Sequence, residues 1–168
     1  WLQDNDLDLT DGVLTDNLLR VVGTDAPAVA VGDVARFPNP LFDDVPRRIE
    51  HWNMPTETGR QAGRTLADLL AGASTTEVFT PMPAFWSDQY DCKLQIAGLN
   101  TGHDAVHVRR AGEALSHWYY RDGRLIAVDA MNDPRAYMIG KRMIEARISP
   151  DPGAVVDPDA NLKALLKA

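Results

Sequence analysis

Apolar and polar positions along this chain change character at a stretch of small residues and prolines, 73–83. Before it, residues 29–34 read Val-Ala-Val-Gly-Asp-Val, with 28–31 as a short buried strand that delivers Asp33 to the edge of a sheet. Residues 2–11 are acidic, with Leu2, Leu7 and Leu9 as scattered apolar positions, and read as a loop. Asp11-Gly12 is a turn signal, and 13–15 can pair with 18–22 as a small β unit. Three prolines make 37–46 a loop. Residues 53–70 read as a helix. Asn53 is the candidate N-cap, and Pro55 falls in the first turn, where its missing N–H costs little. Leu66, Leu69 and Leu70 give the apolar stripe, and Gly72 the stop.

After residue 83 the pattern predicts strands at 93–99, 105–110, 115–121 and 125–130. Arg121-Asp122-Gly123-Arg124 joins the last two, and Asp-Gly between apolar runs is a strong hairpin signal. Such a meander is antiparallel. Pro134 opens a helix to about Arg147, with Tyr137, Met138, Ile144 and Ile148 as its buried side. A proline-rich loop follows, and Asp157 or Asp159 caps a short terminal helix carrying Leu162, Leu165 and Leu166. The expected class is α+β, with a first domain over 1–75 and a second over 76–168.

The composition narrows the function classes. With 45% hydrophobic residues the chain can bury a core. A net charge of −7 argues against a nucleic-acid binder, which usually shows a basic face. One cysteine, Cys92, excludes an internal disulfide and a multi-cysteine metal site, and fits a reducing, cytoplasmic setting. His51, His103, His107 and His117 show no metal-site pattern and read as structural or surface residues. No apolar run approaches the length of a membrane span, and no signal peptide is visible. The first residue is Trp1 rather than Met, which reads as a processed product or an excised fragment.

Four segments, in order, resemble the carboxy-terminal part of the FAD-dependent, NAD(P)H-linked ferredoxin reductases. They are Ala30-Val31-Gly32-Asp33-Val34-Ala35, Arg48-Ile49-Glu50-His51-Trp52, Phe85-Trp86-Ser87-Asp88-Gln89-Tyr90 and Leu94-Gln95-Ile96-Ala97-Gly98-Leu99. This group includes putidaredoxin and rubredoxin reductases and the reductase components of ring-hydroxylating dioxygenases. The resemblance implies the closing part of an α/β FAD-binding domain over 1–75, followed by a C-terminal domain with an antiparallel sheet and flanking helices. The family's two glycine-rich dinucleotide fingerprints are not in this sequence, so the isolated chain is expected to hold FAD poorly and to be inactive alone. Lacking a parent sheet, its first segment is expected to be poorly ordered, or to pair with another copy as a homodimer or swapped dimer.

The resemblance assigns roles, and each has an ordinary structural alternative. Gly32-Asp33 would place a carboxylate on the ribityl chain of FAD; otherwise Asp33 caps a turn. The Trp52 main chain, at a helix N-terminus, would face the flavin N1/O2 edge and stabilise the reduced ring; otherwise Trp52 staples the helix start. Glu50 would lie near the nicotinamide pocket, or be a solvated charge beside Arg47 and Arg48. Trp86 would border the flavin near the ferredoxin surface, or be a core tryptophan. Arg60 and Arg64 share a helix face and would steer an acidic partner, or be a solvated face. The implied substrate is NADH or NADPH, and the implied partner a ferredoxin-type [2Fe-2S] protein or rubredoxin. Rival readings are a related flavoprotein (a rubredoxin or nitrite reductase subunit, or an apoptosis-inducing-factor-like protein) and a non-enzymatic interaction or dimerisation domain.

Overall fold

Short strands dominate the first half of the chain and long ladders the second. The structure, a computed structural model, describes residues 2–74 and 76–167. It divides into two compact units, Trp1–Pro81 and Met82–Ala168. Residue 75, where the sequence reading ends its first domain, lies outside the described residues, as does Trp1.

In the first unit, β1 (Val13–Leu14), β2 (Ala35–Asn39) and β3 (Asp43–Arg48) form a sheet in that order. β1 runs parallel to β2, and β2 antiparallel to β3. The expected loop over 37–46 is therefore two strands and a tight turn. The prolines are accommodated at weak points of the ladder: Pro38 sits at the register irregularity between Phe37 and Asn39, and Pro46 lies on the edge strand. The alternating burial of β2 turns Phe37 inward, where its ring meets Phe79 at 5.4 Å.

The expected strand at 28–31 does not form a ladder. Among the described residues it pairs through a single bridge, Val29 to Arg20. Val31 is extended (φ −138°, ψ 154°) but 43% exposed, and Gly32–Val34 closes into a 3-10 turn. An isolated strand is marginal without neighbours, and among the described residues no parallel strand flanks this one. The small β unit at 13–22 is present as a bridge between Thr15 and Val21.

The predicted helix is α1 (Met54–Ala71), with Pro55 in its first turn and Gly72 left-handed at its end. Two details differ from expectation. Asn53 occupies the cap position, but its side chain makes no capping bond. The buried face is Met54, Thr58, Gln61, Ala62 and Thr65, while Leu70 is 70% exposed. Leu66 and Leu69 are half-buried, so the leucine stripe lies only partly inside.

In the second unit, β4 (Ala84–Gln89), β5 (Cys92–Gly98), β6 (Ala105–Ala111), β7 (Ala114–Arg121) and β8 (Arg124–Met131) form one antiparallel sheet, ordered β4-β5-β8-β7-β6. Asp122 and Gly123 both have positive φ, +51° and +73°, as a two-residue primed turn requires. The class is α+β, as the sequence implies. α2 (Pro134–Glu145), capped by Asp133 through Ala136 N (2.9 Å), covers one face. It packs closely because residue 140 is glycine: a Cβ there would come within 2.5 Å of Val128 Cγ2. Its buried side is Ala136, Ile139, Gly140, Met143 and Ile144. Ile144 is buried as expected, but Met138, expected inside, is 49% exposed, because the face against the sheet runs through Ala136, Ile139, Gly140 and Met143.

The proline-rich segment after it contains α3 (Pro152–Val156), capped by Asp151. Ahead of the terminal turn it is Asn161, not Asp157 or Asp159, whose side chain accepts from Lys163 N (3.2 Å). The terminal helix is a 3-10 turn, Ala164–Lys167. Arg109, nearly fully buried on β6, holds this segment in place. Its guanidinium donates to the carbonyls of Val155 (3.0 Å), Pro158 (2.8 Å) and Ala160 (3.3 Å), and also to that of Asp157. No helix among the described residues is long and apolar enough to cross a membrane.

Candidate functional site at the start of helix α1

Three of the sequence-predicted residues meet at one place. A cavity of about 410 Å³ is lined by Asp33, Glu50, His51, Trp52, Pro55 and Thr56, a volume in the range of small-ligand sites. The first unit's larger hollow, about 740 Å³, is apolar and lined by residues such as Leu2, Leu7, Val13, Val31 and Val34, with none of the candidate carboxylates.

Asp33 reaches the cavity from the 3-10 turn, with its side chain exposed. The turn depends on Gly32, whose φ of +68° is left-handed. Arg48, at the end of β3, binds the turn and its surroundings together. Its Nη1 donates to the Asp33 carbonyl (3.1 Å), its Nε to Asp11 Oδ1 (2.7 Å), and its Nη2 pairs with Glu50 (2.8 Å). The hydrogen bond to Asp11 is the largest of the effects that raise the Arg48 pKa. Gly12 makes room for this arginine: a Cβ there would fall 2.5 Å from Arg48 Cδ and 2.4 Å from the Val34 carbonyl oxygen. Glu50 is thus half of an exposed ion pair as well as a wall of the cavity.

Trp52 is 81% exposed, so it does not staple the helix. Its main chain lies at the opening of α1, where Met54 N donates to the His51 carbonyl (2.9 Å). Helix N-termini carry unsatisfied N–H groups and about half a positive charge, and the Asn53 side chain does not cap this one. His51 is half buried, and burial pushes its pKa down, favouring the neutral imidazole.

A carboxylate to accept from hydroxyls, helix N–H groups left uncapped by the Asn53 side chain to donate to an electron-rich edge, and an open cleft suit the ribityl and pyrimidine side of a flavin. Among the described residues no group of three or more His, Cys, Asp and Glu is placed to hold a metal ion.

Trp86 stands in the second unit, on β4, and is 48% exposed rather than in the core. Arg60 and Arg64 share one face of α1, but each is already paired: Arg60 with Glu57 (3.1 Å) and Arg64 with Glu77 (3.3 Å). Two residues of this region carry weight that the motifs did not assign. Arg48 was visible only as part of the Arg-Ile-Glu run. Thr58 is fully buried on α1 and accepts a hydrogen bond from Gly32 N (2.9 Å); nothing in the sequence marks a mid-helix threonine for that role.

Comparison with known proteins identifies the family. Residues 84–166 match the family model described as "Reductase C-terminal". A ferredoxin–NAD(P)+ reductase of a Sphingomonas species is 35% identical over 158 residues, 92% of this chain and 36% of the relative. The putidaredoxin reductase of Pseudomonas putida is 30% identical over 164 residues, 96% of this chain and 37% of the relative. The crystal structure of a covalent putidaredoxin reductase–putidaredoxin complex aligns with a TM-score of 0.80 at 32% identity, covering 96% of this chain and 37% of that one. The chain spans just over a third of the length of the curated relatives it matches. It belongs to the ferredoxin reductase family, and its residues 84–166 form the reductase C-terminal domain of that family.

Proposed function

We infer that the intact protein is an FAD-dependent NAD(P)H:ferredoxin reductase, and that the first unit is the closing part of its FAD-binding domain. When bound, the flavin would accept a hydride from NADH or NADPH and return single electrons to a ferredoxin-type [2Fe-2S] protein or rubredoxin. This chain's residues bind and orient. Asp33 accepts hydrogen bonds from ribityl hydroxyls. The main chain at Trp52, at the start of α1, places the positive end of the helix at the pyrimidine edge. Glu50, tied to Arg48, borders the nicotinamide side. Trp86 keeps its assignment as the flavin-bordering aromatic on the resemblance alone. No side chain here is required as an acid or base.

Arg60 and Arg64 form the proposed docking face for the acidic partner. Their pairing with Glu57 and Glu77 makes that face nearly neutral at rest, so docking exchanges internal carboxylates for the partner's. The reading implies a compartment supplied with reduced nicotinamide nucleotide, the cytoplasm.

The observation that carries this function is the convergence of Asp33, Glu50 and Trp52 on one cavity at the start of α1. Asp33→Ala in the flavin-loaded protein tests it. Flavin content per protein should fall while the second unit stays folded by circular dichroism. Full flavin retention refutes the ribityl role.

A further inference from the structure

We propose that Thr58 is a positioning residue that sets the spacing between the Gly32–Asp33 turn and the start of helix α1, and so holds both ends of the flavin cradle in register. The inference rests on the flavin reading above. Thr58 does not line the cavity; it lies beneath it, fully buried. Its hydroxyl is used in both senses. Oγ1 accepts from Gly32 N (2.9 Å) and donates to the Met54 carbonyl one turn earlier (2.7 Å). Pro55 faces the turn from α1: a Cβ added at Gly32 would sit 3.8 Å from its ring.

Asp33 is therefore pinned on both sides. The amide before it, at Gly32, is tied to α1 through Thr58, and its own carbonyl is tied to β3 through Arg48. Fixing these two groups fixes the direction in which the Asp33 carboxylate leaves the backbone. Gly32 is the softest link in this path, because glycine moves freely at positive φ. The Thr58 bond is what removes that freedom. It also makes the position of Asp33 depend on the first turn of α1, whose N–H groups are the other half of the cradle. A valine of the same shape would leave the Gly32 N–H without this acceptor.

The test uses the flavin-loaded reductase with Thr58→Val, Thr58→Ser and Asp33→Ala. FAD affinity is read by fluorescence titration, the flavin midpoint potential by spectroelectrochemistry, and the Gly32 amide by hydrogen exchange. Thr58→Val is expected to weaken FAD binding about tenfold, as one lost buried hydrogen bond suggests. It should also make the potential more negative and speed Gly32 exchange. Thr58→Ser, which keeps the hydroxyl, should restore all three. Should Thr58→Val not fold, Thr58→Ala is read in the same way. A Thr58 variant that loses thermal stability but keeps wild-type affinity and potential overturns the positioning role. If Asp33→Ala still sheds flavin in that case, the flavin reading survives it. If neither variant changes flavin binding, the reading falls and the positioning role with it.

Discussion

The two units of this chain differ in how far each completes itself. In the second, every strand of the five-stranded sheet pairs along most of its length, and α2 and α3 bury residues such as Trp118, Ile126, Val128 and Val155. In the first, β1 is two residues long, the 28–31 segment is extended without a ladder, and Val22, Val31, Val34 and Val45 are exposed. The same unit carries the 740 Å³ apolar hollow. The second unit closes its ladders, although Phe85, Trp86, Tyr90, Val106, Val108 and Met138 stay exposed on it. The first closes fewer of its ladders, and it holds the candidate site. Local sequence rules are expected to fail where function is housed, and they fail here in the first unit.

Substitutions can break that contrast. The largest effect is expected from Gly98→Ala. Gly98 has φ +90°, and a Cβ there would lie 2.1 Å from the Ile126 carbonyl oxygen, so backbone must move in the middle of the sheet. We expect a loss of about 3 kcal/mol or more, with denaturant melting of the second unit displaced far more than that of the first. If both units shift equally, they are not separate in stability.

Next is the pair Met54→Ala and Leu70→Ala in α1. Met54 is fully buried and should cost about 2–4 kcal/mol. Leu70, 70% exposed, should cost less than about 0.5 kcal/mol. Equal losses would mean that the helix buries the leucine stripe after all.

A smaller effect concerns the proposed docking face. Glu57→Gln with Glu77→Gln should unmask Arg60 and Arg64 and raise the association rate with an acidic ferredoxin a few-fold at low salt, with a steeper salt dependence. Stopped-flow rates that do not change would remove Arg60 and Arg64 from the docking face.

The smallest is a pH effect at His51. Burial lowers its folded-state pKa, so the unfolded chain binds the proton more readily. This contribution is present above the ordinary value of about 6.5 and is lost as pH falls below it. The first unit should melt at a lower temperature at pH 5 than at pH 7, and His51→Gln should reduce that difference. A difference unaltered by His51→Gln would place its source elsewhere.

How much could be read in advance follows the same division. The four predicted strands of the second unit lie within a residue or two of β5 to β8, because alternating apolar runs and one Asp-Gly turn are local signals. β4 was visible only as a motif, since Phe85 and Trp86 are both substantially exposed and do not alternate cleanly. The loop reading of 37–46 failed because proline content was weighed without knowing which strand would be the edge. The 28–31 strand failed for the opposite reason: its residues suit a buried strand, but a ladder needs a neighbour that no local pattern supplies. Within the site, Asp33, Glu50 and Trp52 were legible as motif residues. Arg48's three partnerships and the Thr58 hydroxyl join segments up to 37 residues apart in sequence, a distance at which spacing carries no signal.

Arg109 has one more consequence. Its guanidinium is met by main-chain carbonyls within residues 155–160, and among the described residues no acidic side chain is seen to pair with it. Evolution can therefore rewrite the side chains of that segment almost freely, while an insertion or deletion within it would disturb the bonds. The terminal segment should drift in composition and stay fixed in length, and a library that varies residues 157–160 should tolerate substitutions far better than single-residue indels.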